Sequence, residues 1–217
     1  MTDTDSTTRS PLTKDTIVTA AVTLADAEGV RGVTMRKLAH SMGYEVMSLY
    51  NHVANKGELL DLMVDSVATD VATPEPSTEP MAAVRGIAVA LREALVLHPW
   101  APELWLRQMP GPERSRVMED LLRFFDASDL PPELAHHGFH AVNNHVIGYT
   151  IQQIAIDDIT DPELTVESYL ASLSEVEHRL TIAHVHQHLD GETSSSFELV
   201  LDLILDGLVG LADSAGS

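Results

Sequence analysis

The chain has 217 residues, 44% of them hydrophobic, and a formal net charge of −20. That length allows one large domain, or a small domain joined to a larger one, and no uncharged apolar run reaches the roughly 18 residues that a membrane-spanning helix needs. The lack of cysteine excludes disulfides, thiol nucleophiles and Cys-based metal sites.

Residues 1–11 (MTDTDSTTRSP) are polar and lack the apolar core of a signal peptide. They are expected to be a disordered tail, and the protein is expected to be cytoplasmic. Thr13–Glu28 follows as a first helix. Thr13 caps it, Ile17, Ala20, Ala21, Leu24 and Ala25 form its apolar stripe, and Gly29 ends it. Val30–Val33 connects to Thr34, an N-cap for the helix MRKLAHSM, which Gly43 closes because glycine tolerates positive φ. Glu45–Val53 fits a second short helix, with Leu49 and Val53 pointing inward. Asn55 caps a third, continuing through Lys56–Val71 with Leu59, Leu60, Met63, Val64, Val67 and Val71 inward and Asp61, Asp65 and Asp70 on the wetter side.

Residues 73–80 (TPEPSTEP) hold three prolines in eight positions, which disfavours helix at and before each of them. The domain boundary is placed there, with 12–72 on one side and 81–217 on the other. Beyond it, helices are expected over Ala82–Leu97, Pro102–Met109, Pro112–Asp126, Pro132–Ile156, Val166–Leu189 and Ser195–Leu211, with a loop over Asp157–Leu164. No alternating pattern of useful length appears, so the fold class is all-α. In the last helix Glu198, Asp202 and Asp206 form one narrow polar stripe, and nearly everything else is apolar. Such a helix must be buried on several sides. Leu199, Leu203 and Leu208 are assigned to a homodimer interface, matched by Val142, Val146 and Tyr149 of the 132–156 helix. A central core helix in a monomer is the alternative.

Thr34–Lys56 carries the clearest chemistry. Two short helices joined by a glycine-containing turn form a helix-turn-helix pattern, whose second helix enters the DNA major groove. Arg36 and Lys37 sit in the first turn of the leading helix, near phosphates or a guanine edge. Tyr44, Val46, Met47, Ser48 and Asn51 are expected on the reading helix: Ser48 and Asn51 as hydrogen-bonding groups, Val46 and Met47 as apolar contacts to a thymine methyl. Tyr50, His52 and Lys56 suit phosphate anchoring. An ordinary three-helix core with a solvated polar face is the alternative. The charge is unevenly divided: residues 1–70 hold 6 Lys+Arg against 10 Asp+Glu, and residues 71–217 hold 7 against 23. Few cations face the DNA, which predicts a shallow salt dependence of binding.

The runs T-M-R-K-L-A, G-Y and L-Y-N-H-V-A-N-K, followed by L-L-D, resemble the TetR family of bacterial transcriptional repressors over Ile17–Leu62. The last helix, F-E-L-V-L-D-L-I-L-D-G-L, is similar to the C-terminal helix of its tetracycline-repressor branch. The resemblance implies a dimeric all-α repressor that binds a palindromic double-stranded operator and is released by a small-molecule ligand. It places Arg36, Ser48, Tyr50, His52 and Lys56 on the family's DNA-contact positions. Val46, Met47 and Asn51 depart from the polar and aromatic choices of that branch, which implies a different operator.

Trp100, Trp105, Met109, Met118 and Phe125 lie on several of the middle helices, and an apolar cavity between helices is a usual ligand site. With Leu91, Leu95 and Leu122 as wall and His140 and Asn144 as polar handles, they are the expected ligand-lining set. The pairs His136/His140 and His184/His188 have i,i+4 spacing, but a zinc site needs three or four protein ligands and no third is evident. No metal or cofactor is expected. A metal-dependent enzyme using those pairs, or a ligand-insensitive DNA-binding protein, are the rival readings. The chain shows no HExxH, no GxSxG and no phosphate-cradling glycine loop.

Overall fold

The computed structural model describes residues 11–158, 161–189 and 197–215, and among these the chain is helical with no strand. It packs as two compact units. The first is built from described residues up to Ala72 together with Glu93–Glu119, and the second from Thr73–Arg92 together with described residues from Asp120 onward.

The first unit begins with α1 (Lys14–Gly32). Thr13 Oγ1 accepts from the Thr16 N–H and Thr16 Oγ1 accepts from the Thr13 N–H, at 3.2 and 2.9 Å, so two end groups are satisfied reciprocally. Gly29, at φ 73°, interrupts α1 where its end is expected, but one further turn follows to Gly32. Next comes α2 (Met35–Met42), capped by Thr34 and closed by Gly43 at φ 71°, ψ 30°, the left-handed conformation that only glycine adopts cheaply. The second helix of the motif, α3 (Val46–Tyr50), is shorter than expected and gives way to a turn at Asn51. In α4 (Lys56–Val67), Asn55 Oδ1 accepts from the Glu58 N–H at 3.0 Å. Glu58 in turn accepts from the Ala54 N–H at 2.5 Å and pairs with Lys14 Nζ at 2.9 Å. These contacts, the backbone donor first, hold the Glu58 carboxyl below the usual range. Ile17, Ala21, Leu38, Leu49, Val53, Leu59 and Met63 form a core sealed from solvent.

A 3₁₀ turn, Ala68–Asp70, follows α4, and α4 packs on both α1 and α6 (Ala101–Arg107). Asp65 corrects the expected pattern, because it is buried rather than on a wet face. Its carboxylate accepts from the Glu113 and Arg114 N–H groups at 3.1 and 2.9 Å and so caps the start of α7 (Pro112–Asp126). Gly111 makes this approach possible: a Cβ there would lie 2.5 Å from the Asp65 Cγ. Arg114, also buried, donates to the carbonyls of Trp105, Gln108 and Met109 at the end of α6. Burial pushes its guanidinium pKa down, and the nearby Asp65 and Asp61 carboxylates act against that. Arg116 donates to the Ala68 and Val71 carbonyls, both at 2.9 Å. On the other side of the unit, Asp26 Oδ1 accepts from Trp100 Nε1 at 2.7 Å and meets His98 Nδ1 at 2.8 Å.

In the second unit α8 (Pro132–Asp157) packs along α11 (Phe197–Ala215). Phe125, Val142, Val146, Leu201, Leu205 and Leu208 fill the space between and around them. Gly138 allows close contact, since a Cβ there would meet Leu208 Cδ1 and Phe125 Cε1, each at 2.8 Å. From α5 (Pro80–Leu97), Arg85 donates to Asp202 at 2.7 Å and to Glu198 at 2.7 Å, so it engages the polar stripe of α11. The expected helix over 166–189 is two helices, α9 (Pro162–Ala171) and α10 (Arg179–Leu189). Asp161 caps α9 within the expected loop, and the break is held by the Glu177 N–H donating to Ser174 Oγ and the Ser174 N–H donating to His178 Nδ1.

Candidate nucleic-acid interface and ligand region

The leading helix of the motif is anchored by Met35, Leu38 and Ala39, and the reading helix by Leu49. These buried groups fix which side chains face out. On α3, Met47 is 71% exposed and Tyr50 41% exposed, with exposed Asn51 beside them. Tyr44, Val46, Ser48, His52 and Lys56 are half-buried around that face. Thr34, Arg36, Lys37 and His40 border a shallow recess of about 410 Å³ on α2. His40, which lies at i+4 from Arg36 on α2, borders this recess and is not among the residues expected to contact DNA.

The groups on this face do not play equal parts. The Thr34 hydroxyl accepts from the Lys37 N–H at 3.2 Å, so it sets the start of α2. Lys37 is paired with Glu28, a partner the local sequence around 37–56 does not show. Both side chains are well exposed, 46% and 39%, so a phosphate can compete for the ammonium at small cost. Arg36 is exposed, and among the described residues no carboxylate lies within ion-pair reach of it. The motif thus presents an apolar and hydrogen-bonding face on α3 and two exposed cations on α2, a combination that suits a groove edge between phosphates.

The expected ligand-lining residues are divided between the two units. Leu95, Trp100, Trp105, Met109 and Met118 belong to the first, and Leu91, Leu122, Phe125, His140 and Asn144 to the second. Leu91, Leu95, Trp100 and Phe125 are buried. Trp105 lies under the Arg114 guanidinium, 5.5 Å from its ring centre. Met109, Met118 and Leu122 are exposed, a correction with a simple cause: α7 buries Arg114, Val117, Leu121, Phe124 and Phe125, which puts 118 and 122 on its other side. His140 and Asn144 are exposed too. A recess of about 420 Å³ in the second unit is bounded by Met81, Leu130, Val209 and Asp213 among others, and none of the ten expected residues borders it.

The expected interface residues also divide. Val142, Val146 and Leu208 are buried within the chain itself, because α8 packs on α11 of the same subunit, so they do not present a surface to a second copy. Leu199 and Leu203 are 59% and 64% exposed. Tyr149 is half-buried against Phe197 and His145. The rings of His136 and His140 lie 4.7 Å apart, and among the described residues no group of three His, Asp or Glu is placed to hold a metal. The His188 side chain lies outside the described residues. No described helix is long and apolar enough to cross a membrane.

Residues 17–63 match the family of bacterial regulatory proteins called tetR, and residues 73–211 match the tetracyclin repressor-like C-terminal domain. The HTH-type transcriptional repressor DrrR1 of Streptomyces coeruleorubidus is 33% identical over 216 residues, covering 91% of this chain and 77% of that protein. Apo ActR from Streptomyces coelicolor superposes with a TM-score of 0.78 at 30% identity, covering 95% of this chain and 99% of ActR. ActR in complex with actinorhodin gives 0.77 at 30% identity, covering 94% and 99%.

Proposed function

The chain belongs to the TetR family of bacterial regulatory proteins, and from that premise we propose that it is a homodimeric, cytoplasmic repressor that binds a palindromic operator and is released by a small molecule. The observation that carries this reading is the face of α3: Met47 and Tyr50, with Asn51 just after them, stand exposed on a helix anchored by a fully buried Leu49, and the preceding helix α2 carries the exposed Arg36 and Lys37. Two such faces, one from each subunit, meet successive major grooves about 34–36 Å apart. Ser48 and Asn51 address base edges, Val46 and Met47 a thymine methyl, and Arg36, Lys37, Tyr44, Tyr50, His52 and Lys56 the backbone, while Thr34 holds the frame.

Residues 12–72 read DNA, 73–80 link, and 81–217 bind ligand and pair the subunits, with Leu199 and Leu203 in the pairing surface. The relative ActR has been solved with actinorhodin bound, which supports release by a small molecule. Such a ligand acts only by binding the two conformations with different affinity. The relatives are regulators, and we read this chain as a binding protein rather than an enzyme. The test is selection of bound DNA from a random pool. The expected product is an inverted repeat with half-sites one helical turn apart, bound with a shallow salt slope; recovery of unrelated sequences overturns the reading.

A further inference from the structure

Arg92 of α5 sits in an aromatic setting that its structural contacts do not exhaust. Its guanidinium carbon lies 5.0 Å from the ring centre of Phe197 and 5.5 Å from that of Tyr149. His145 stacks on Phe197 at 4.7 Å and 9°, and its Nε2 lies 2.9 Å from the Phe197 carbonyl. A carbonyl only accepts, so Nε2 carries the proton and the imidazole is held flat against the phenyl ring. Tyr149 meets Phe197 edge-on at 5.4 Å. Arg92 Nη2 donates to Gln153 Oε1 at 2.5 Å. Its Nε–H, shielded from solvent, has no acceptor among the described residues, and no carboxylate there is within ion-pair reach of the guanidinium. This contrasts with Arg85, two turns earlier on the same face of the helix, which pairs with Asp202 and Glu198.

A guanidinium is seldom left in such a place without an anion, because its fork of N–H groups matches a carboxylate and its plane stacks on aromatic rings. Arg92, Tyr149 and Gln153 are each only partly buried, so the group is reachable from outside. We propose that Arg92, with Tyr149 and Gln153 beside it and Phe197 and His145 packed behind, is a binding site for a planar aromatic carboxylate, whose oxygens take the free Nε–H and an Nη–H while its ring lies against Tyr149. The proposal rests on the ligand-responsive reading above and gives that ligand a chemical class. Gln153 holds the guanidinium in register, and Phe197, buried and stacked on His145, backs it from within, so the half-buried Tyr149 is the ring a ligand meets.

The probes are 2-naphthoate and its neutral counterpart 2-naphthamide, titrated calorimetrically into the full-length protein with no DNA present. The expected result is naphthoate binding at least about tenfold tighter than naphthamide, a difference of one decade in Kd. Arg92→Gln should abolish that preference, and Arg92→Lys should keep only part of it because it loses the fork. Should Arg92→Gln fail to fold, Gln153→Leu decides, since it leaves the charge and removes only the positioning contact; the preference should shrink several-fold. Equal binding of the two probes, an unchanged preference in Gln153→Leu, or no naphthoate binding at about 5 mM overturns the proposal. Operator binding is measured separately by gel shift. A protein that takes naphthoate but no operator overturns the repressor reading alone, and one that takes operator but shows no carboxylate preference overturns the site alone.

Discussion

Replacing Asp65 by alanine tests whether the α4–α7 junction is held by one buried carboxylate. The loss has two parts. Removing an N-cap side chain costs about 1 kcal/mol. Taking the carboxylate away from a buried cation costs about 3–5 kcal/mol when nothing else neutralises it. Arg114, whose side chain is 3% exposed, keeps the carbonyls of Trp105, Gln108 and Met109 as acceptors, which favours the lower end. The expected total is about 3–4 kcal/mol, a large share of the roughly 5–15 kcal/mol by which domains are stable. Trp100 and Trp105 are the chain's two tryptophans, and both belong to the same unit as this junction. Urea unfolding followed by tryptophan fluorescence therefore reports on that unit, which matters because a chain of two units need not unfold in one step. Gly111→Ala disturbs the same carboxylate from the other side and should also destabilise this transition. A shift below about 1 kcal/mol for Asp65→Ala, within the range of an ordinary surface change, would refute the reasoning.

Glu28→Gln releases Lys37 from its pair; stability should move by less than about 0.5 kcal/mol, while operator affinity rises and the salt slope steepens by up to about one unit. Weaker binding in a filter assay would contradict the competition between Glu28 and phosphate. Gly138→Ala forces a methyl against Leu208 and Phe125 and should cost about 1–3 kcal/mol by thermal unfolding. Arg85 holds the Asp202 carboxyl below its usual range, chiefly through their hydrogen bond. Stability from this lowered pKa is present above the unfolded carboxylate value, about 3.9, and is lost as pH falls through the lower folded value. Asp202→Asn should flatten acid unfolding in that window, and an unchanged acid midpoint and slope would count against the pair.

Local chemistry was readable from the residues; choice of partner was not. Thr13, Thr34 and Asn55 cap helices because a short side-chain oxygen reaches free N–H groups within three residues, and Gly43 adopts positive φ for want of a Cβ. Those are short-range facts. Apolar spacing marked Val142 and Val146 as facing something, but period alone cannot distinguish a helix of the same chain from one of another. Asp65 carries a charge that spacing assigns to water, and only the approach of α7 reveals it as a cap. The break between α9 and α10 has neither glycine nor proline, the two strong stop signals, and depends on Ser174 and His178 bonding to nearby backbone. Arg92 has no signal of its own in the sequence, because its aromatic neighbours lie far along the chain on α8 and α11.

The discontinuous make-up of the first unit bears on how such proteins can be recombined. Its α4, which follows the helix-turn-helix, is packed with α6 and caps the start of α7, both supplied after an excursion of some twenty residues through the other unit. A graft of 12–72 onto a foreign body would carry the DNA-reading face but abandon Asp26 without His98 and Trp100, and Asp65 without the N–H groups it caps. On the proposed reading, specificity changes by rewriting the few exposed positions of α3. Transplanting the whole head would require α6 and the Gly111–Arg116 segment to travel with it, so point substitution is the easier route to a new operator.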